Sequence, residues 1–421
     1  MRRAGAELAM SMTSMATMTA PPPTLPDARV RALHGALAAF PASLFQFDHR
    51  IADGWLTDRY FLRTAATMAH AGVDPVVTMQ LFAKHHGIVA GLYEGIRLLQ
   101  TQLARRASGE GARYEPTDLV VDTLMDGDAI EPWETVMLIR GPYRAFAHLE
   151  TPLLGAIARR TLVATNVRRV IDAAKGKAVI FMGARHDDWR VQTPDGYAAR
   201  VGGAGSVSSD AGGAWWGASG AGTMPHALIA AFGGDVVAAT LAFARYARER
   251  EPEVRVVSLV DYHNDAVADS LAVARAMREA FGPGVLAGVR VDTSERLIDH
   301  SLIGQEADYP GERLTGVSPP LVRKLRAALD AEGFADVGIV VSGGFTPRKI
   351  AAFERAGVPV SAYGVGSSLL GHNRSDADGL LTVFDFTADL VEVAGRPESK
   401  VGRCLRPNPR LVRVDWNVAG E

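Results

Sequence analysis

Cysteine is nearly absent from this chain of 421 residues: Cys404 stands alone. One thiol excludes an intrachain disulfide and a cysteine-ligated zinc site, and a reducing, cytoplasmic setting is the expectation. Long apolar runs are missing too. None approaches the about 18 residues that a membrane-spanning helix needs, so no membrane partner is expected. An excess of either charge is also lacking. Lys and Arg number 45 against 47 Asp and Glu, and the formal charge of −2 argues against a nucleic-acid partner. Lysine is scarce, at positions 84, 175, 177, 324, 349 and 400, and these flank the apolar runs, which disfavours a Schiff-base lysine buried in a strand. The histidines are scattered, which disfavours a zinc hydrolase. What is present, 48% apolar and 22% charged residues, is the composition of a globular protein. At this length one large domain and a smaller one are expected.

Residues 1–26, rich in Met, Ala, Thr and Pro, read as a disordered extension ending at the prolines of 21–23. From 28 to 140 the pattern is mixed. A helix is expected over 28–40, with Val30, Leu33, Leu37 and Phe40 on one face, and a strand over 76–83. A second helix is expected over 85–104, a turn at Asp126-Gly127 and a strand over 136–141. That mixture without regular alternation predicts an α+β domain. Residues 150–174 predict a long apolar helix with Arg159 and Arg160 at its flank. Beyond it the rhythm becomes strand, loop and helix in units of roughly 30 residues. Strands are expected at 178–182, 205–208, 254–260, 288–291, 337–341 and 361–363, and helices at 226–232, 236–250, 266–279, 319–332 and 347–355. The repeat predicts α/β architecture, a parallel barrel or an open sheet, with ligands beyond the carboxyl ends of the strands.

The stretch 337–371 is the most informative. Two apolar runs end in small-residue loops, Ser342-Gly343-Gly344 and Gly364-Val365-Gly366-Ser367-Ser368, with an amphipathic segment between them. Glycine lets backbone N–H groups approach a ligand closely, and convergent N–H groups bind anions. Two such loops in one βαβ unit describe a phosphate cradle. Other strand ends carry Arg185 and His186, then Ser208, with Thr223 and His226 further on, then Asp261, and Arg290 with Asp292. Two aspartates suit a divalent cation and sugar hydroxyls; arginine suits carboxylate or phosphate. Plainer roles stay open: Asp261 and Asp292 as helix caps, His226 as part of a helix start, Arg185 paired with Asp187 or Asp188.

The segments GTMPHALIAAFGGD (222–235), LVDYHND (259–265), GVRVDTSER (288–296), VVSGGF (340–345) and AYGVGSSL (362–369) resemble the nicotinate phosphoribosyltransferase family. That family shares a fold group with quinolinate phosphoribosyltransferase. TDRYF (57–61), IRGPY (139–143), LETPLLG (149–155) and KVGRCLRP (400–407) are similar in the same order, and GTMPHAL is closest to the shorter bacterial and archaeal branch. The resemblance implies an incomplete (β/α) barrel over 149–371 and an α+β domain over 27–148 completed by 372–421. It implies transfer of a phosphoribosyl group from phosphoribosyl pyrophosphate to nicotinate in NAD salvage, with Mg²⁺ and with ATP hydrolysis coupled in many members, in a head-to-tail homodimer.

By the same resemblance the two glycine loops (Ser342, Gly343, Gly344, Gly364, Gly366, Ser367) hold the 5′-phosphate. Asp261 and Asp292 handle the ribose hydroxyls and Mg²⁺. Arg185 faces the nicotinate carboxylate or the pyrophosphate, Tyr60 stacks on the pyridine ring across the dimer, and His226 accepts a phosphoryl group from ATP. Arg140, His186, Ser208, Thr223 and Arg290 complete the expected substrate contacts. One departure is visible: the family carries two consecutive arginines where this chain has Arg185, His186, Asp187 and Asp188. A transferase for quinolinate or nicotinamide, or a weakened homologue that senses phosphoribosyl ligands, are the alternatives. Residues 210–219, rich in Gly and Trp, are expected as a surface loop or interface edge.

Overall fold

The computed structural model describes residues 27–107, 114–222, 224–372 and 379–417. The expected N-terminal extension lies outside the described residues. Helix α1 (Asp27–Ala39) buries Leu33 and Leu37, and α2 (Arg59–His70) follows a turn in which Gly54 has φ +74°. Strand β1 (Val76–Ala83) is buried along nearly its whole length, as its β-branched and apolar residues favour.

The helix expected over 85–104 starts later. Gly87–Ile88 forms β2, Gly91 at φ +89° breaks the chain direction, and α3 runs over Leu92–Ala107. Its start is capped from afar, because the Leu92 N–H donates to Asp126 Oδ1 at 2.8 Å. Strands β3 (Val120–Thr123), β4 (Ala129–Ile130) and β5 (Thr135–Pro142) follow, then the short α4 (Tyr143–Phe146) and the long α5 (Glu150–Ala173). Strand β4 pairs with β2.

The second part opens with β6 (Ala178–Phe181), α6 (Gln192–Gly202), β7 (Ser206–Val207) and α7 (Asp210–Gly213). Helices α8 (His226–Ala231) and α9 (Val236–Arg250) precede β8 (Val256–Leu259), α10 (Ala266–Phe281) and β9 (Leu286–Val291). Then come α11 (Pro319–Ala331), β10 (Gly338–Val341), α12 (Pro347–Arg355) and β11 (Ala362–Val365). The chain ends with β12 (Phe386–Val393), β13 (Arg396–Pro397) and β14 (Val412–Arg413).

Two six-stranded sheets result. The first, antiparallel, has the order β13-β12-β1-β5-β3-β14, so C-terminal strands flank the N-terminal ones on both sides. The second, parallel, has the order β7-β6-β11-β10-β9-β8. Its last strand β11 pairs with its first, β6, from Ala362 against Ala178 to Val365 against Phe181. Pairing of first and last strands is barrel closure. The remaining step, β7 to β8, is not made, and α8 and α9 occupy the chain between them. The fold is therefore an incomplete (β/α) barrel beside an α+β domain.

Each part has its own core, and α5 serves both: Leu153 and Ile157 belong to the first, Val163, Val167 and Val170 to the second. The expected boundary at 148/149 falls at the start of this shared helix. Arg160 is not at a solvent flank but buried, with Nε 3.0 Å from Glu94 Oε2. Arg159 bridges Asp195 at 2.7 Å and Asp187 at 2.6 Å. The 210–219 stretch is folded rather than a loose surface loop. Trp215 packs on Phe45 and Tyr197 at 4.6 and 5.8 Å, and a Cβ on Gly213 would fall 1.8 Å from Ala218 O. No helix among the described residues is long and apolar enough to cross a membrane.

Candidate active site

Parallel register brings the carboxyl ends of the barrel strands to one level. Val291 lies opposite Val341, and Ser342 N donates to Val291 O at 3.0 Å, so Asp292 and Ser342 emerge side by side. Val365 lies opposite Phe181, and Met182 N donates to Val365 O at 2.7 Å, which sets Gly366 beside Met182. A cleft of about 1370 Å³ opens over these ends. Arg185, His186, Ser208, His226, Arg290 and Asp292 line it, as do Ser342, Gly343, Gly344, Gly364, Gly366 and Ser367.

Both glycine loops therefore face one space, and Ser368 Oγ ties them by donating to Phe345 O at 3.1 Å. Gly343 and Gly344 have φ +88° and +64°, a left-handed conformation that L side chains resist. A Cβ on Gly343 would sit 2.9 Å from Asp292 Oδ1, and one on Gly344 would sit 2.2 Å from Glu295 Oε1. Across the cleft, a Cβ on Gly366 would meet Met182 O at 2.8 Å and His186 Nε2 at 2.9 Å. Among the described residues no acceptor takes the amides of Gly343 and Gly344. Helix α12 begins just beyond, capped by Thr346, and turns the positive end of its dipole toward the first loop.

The acidic groups stand one strand apart. Asp261 follows β8, and its Oδ2 lies 3.3 Å from His226 Nε2. Burial raises its pKa, His226 opposes the shift and Asp292 adds to it. Asp261 Oδ1, Thr293 Oγ1 and Ser342 Oγ are buried without hydrogen-bond partners among the described residues. Buried polar atoms are rarely left so; Ser342 lines the cleft itself, while Asp261 and Thr293 lie just behind it, next to the lining residues His226 and Asp292. Neither aspartate caps a helix: Asp265 caps α10 instead. No group of three or more metal-ligating side chains occurs among the described residues. A cation here would be held by Asp261, Asp292 and substrate oxygens, which is how Mg²⁺ is usually bound, and the orphaned Asp261 oxygen fits that role.

Arg185 has no carboxylate within ion-pair distance among the described residues. Asp187 is taken by Arg159, and Asp188 lies 3.4 Å from Arg190. Burial, then Arg185 and His372, lower the pKa of His186, so it is neutral at physiological pH. Sequence reasoning missed Met182, Glu295, Arg313, Arg348 and Lys349, which also line the cleft. Lys349 was read as a flanking lysine; its position in the first turn after a glycine loop is the signal that would have found it.

Two expected contacts are not brought to this cleft. Tyr60, in α2, is 59% exposed, and its hydroxyl donates to Asp58 Oδ2 at 3.3 Å. Arg140 is exposed on β5. Thr223 lies outside the described residues.

Residues 58–161 match the family model described as quinolinate phosphoribosyl transferase, N-terminal domain. The chain is 28% identical to a nicotinate phosphoribosyltransferase of Mycobacterium tuberculosis over 379 residues, covering 84% of this chain and 75% of that one. Among solved structures it is similar to nicotinate-nucleotide pyrophosphorylase from Pyrococcus furiosus, with a TM-score of 0.68, 28% identity, and coverage of 89% of this chain and 86% of the other. Human nicotinic acid phosphoribosyltransferase shares the fold, with a TM-score of 0.58, 21% identity and coverage of 82% and 76%. With the incomplete barrel and its glycine-lined cleft, these likenesses support the nicotinate phosphoribosyltransferase family for this chain.

Proposed function

We propose that this protein is an enzyme of NAD salvage that joins nicotinate to phosphoribosyl pyrophosphate, releasing nicotinate mononucleotide and pyrophosphate. The observation that carries this reading is the set of unsatisfied groups at adjacent strand ends: the Gly343 and Gly344 amides, Ser342 Oγ, Thr293 Oγ1 and Asp261 Oδ1. The amides suit a phosphate and the acids suit a ribose.

The chain's own residues hold and orient the reactants. The two loops fix the 5′-phosphate, and Asp261 and Asp292 fix the ribose hydroxyls. Arg185, with no carboxylate at ion-pair distance among the described residues, is available to the carboxylate of the base. The nicotinate ring nitrogen is already a nucleophile and needs no general base. Attack at the anomeric carbon passes through an oxocarbenium-like state that the nearby carboxylates stabilise. Asp261 and Asp292 would hold Mg²⁺, which would supply charge neutralisation for the departing pyrophosphate.

His226 is the residue suited to take a phosphoryl group from ATP. Its Nε2–H donates toward Asp261, which leaves the Nδ1 lone pair for attack. Tyr60 is read as reaching the base in a partner's cleft within a head-to-tail dimer. Its exposure, together with Trp55 at 71% and Leu56 at 45%, supports that role.

The test is pyrophosphate release by pure protein given Mg²⁺, phosphoribosyl pyrophosphate and one base at a time, with and without ATP. Release with nicotinate well above that with quinolinate or nicotinamide is expected. Release with quinolinate alone would transfer the assignment, and no release with any base would leave only a sensing role.

A further inference from the structure

Lys349 lies in the first turn of α12, three residues past the cap Thr346. Its Nζ makes one long hydrogen bond, donating to Gly343 O at 3.3 Å, and sits 4.2 Å from the Phe345 ring centroid. No carboxylate among the described residues comes within ion-pair distance of it. Burial pushes its pKa down to about 8; Glu295 and Asp292 oppose the shift and Arg313 adds to it. An ammonium carries three donors and loses strong hydration when buried, so a single weak acceptor leaves it poorly compensated.

Its surroundings add to the imbalance. Gly343 and Gly344 line the same cleft, their amides without an acceptor among the described residues, and the helix end contributes further positive potential. Arg313 and Arg348 line the same wall. Asp292 and Glu295 flank the same loop, but neither comes within ion-pair distance of Nζ, so the ammonium keeps unused donors that an arriving anion can satisfy. A phosphate monoester does so, because its three oxygens can accept from the ammonium and from both amides together.

We propose that Lys349 is a substrate-binding residue that donates to the 5′-phosphate of the phosphoribosyl substrate from the floor of the first glycine loop. This rests on the phosphoribosyl-transfer reading above. The competing account is structural: Lys349 only pins the Gly343 carbonyl and so shapes the loop.

Two variants of the full chain separate these accounts. K349M removes charge and donor together, whereas K349Q removes the charge but keeps a donor for the Gly343 carbonyl. The probe is ribose 5-phosphate, titrated calorimetrically, alongside KM values for phosphoribosyl pyrophosphate and nicotinate and melting temperatures.

The phosphate role predicts ribose 5-phosphate binding about 10–100-fold weaker in both variants, the value of one charged hydrogen bond. KM for phosphoribosyl pyrophosphate rises with it, KM for nicotinate stays put, and the melting temperature holds or increases because an undersatisfied cation has been removed. K349Q binding ribose 5-phosphate like wild type, or either variant melting well below wild type with unchanged binding, would overturn the proposal. Wild-type protein that binds neither ribose 5-phosphate nor phosphoribosyl pyrophosphate would instead sink the transferase reading, and this inference with it.

Discussion

Gly343→Ala and Gly357→Ala form a matched pair that separates backbone strain from disruption of the cleft. Both glycines are left-handed, at φ +88° and +60°, and both flank the same helix α12. An L side chain in that conformation costs about 1–2 kcal/mol. For a domain of this size each kcal/mol lowers the melting temperature by roughly 2–4 °C, so both variants should melt about 2–8 °C lower. They differ in what the new methyl group meets. At Gly357 nothing lies within 4 Å, whereas at Gly343 the methyl carbon falls 2.9 Å from Asp292 Oδ1. Either the Asp292 carboxylate or the loop must shift by a few tenths of an ångström; a misplacement of about 1 Å at a reacting centre costs about 100-fold in rate, so this smaller one should cost roughly 3–10-fold. Steady-state pyrophosphate release therefore shows G343A losing roughly 3–10-fold in kcat/KM for phosphoribosyl pyrophosphate, with G357A near wild type. Equal kcat/KM in the two variants, at equal folded fraction, would refute the claim that this loop and Asp292 act on one substrate.

Three further outcomes follow from buried charge. Arg160→Ala leaves Glu94 buried without its partner and should cost about 3–5 kcal/mol of stability in chemical denaturation. Arg159→Met frees Asp187 and the adjoining Arg185-His186 segment, so KM for nicotinate should rise more than KM for phosphoribosyl pyrophosphate; equal KM values would show that the segment holds itself. Asp126 is half-buried by surface area, and desolvation of its carboxyl raises its pKa from 3.8 to about 7. The native state then holds a proton that the unfolded chain releases between those values. Its contribution is full below about pH 4 and is lost as pH rises through about 7. The denaturation midpoint should fall across that window in wild type and fall less in D126N.

The barrel was legible because its signals are local. Each parallel strand is a short apolar run ending in a polar or glycine-rich loop, and all six expected strands pair in one sheet. The cleft residues were legible for the same reason, since parallel strands deliver the next residue of each to a common face. The first sheet was less so. Strands β13 and β14 are two residues long and carry no periodicity, and β12, half-exposed with Thr, Asp and Glu along it, reads as polar. β12 and β14 pair with β1 and β3, about 300 residues away in sequence, while β13 pairs only with the neighbouring β12, so tertiary pairing is what makes them strands. Helix α6 is not among the expected helices and contains Pro194, Asp195 and Gly196, residues that disfavour a helix interior; packing decides, with a Cβ on Gly196 landing 2.2 Å from Gly212 O. Lys349 and Arg160 were misplaced at flanks because burial of a long charged side chain depends on neighbours that sequence spacing does not reveal.

The account depends on both glycine loops gripping one phosphate. The most direct measurement is a crystal structure of the protein soaked in ribose 5-phosphate. Its phosphorus should lie within hydrogen-bonding reach of the Gly343 and Gly344 amides and of the 366–367 loop, with the ribose turned toward Asp261 and Asp292. Phosphate density elsewhere on the molecule, or at one loop with the sugar directed away from both aspartates, would contradict it.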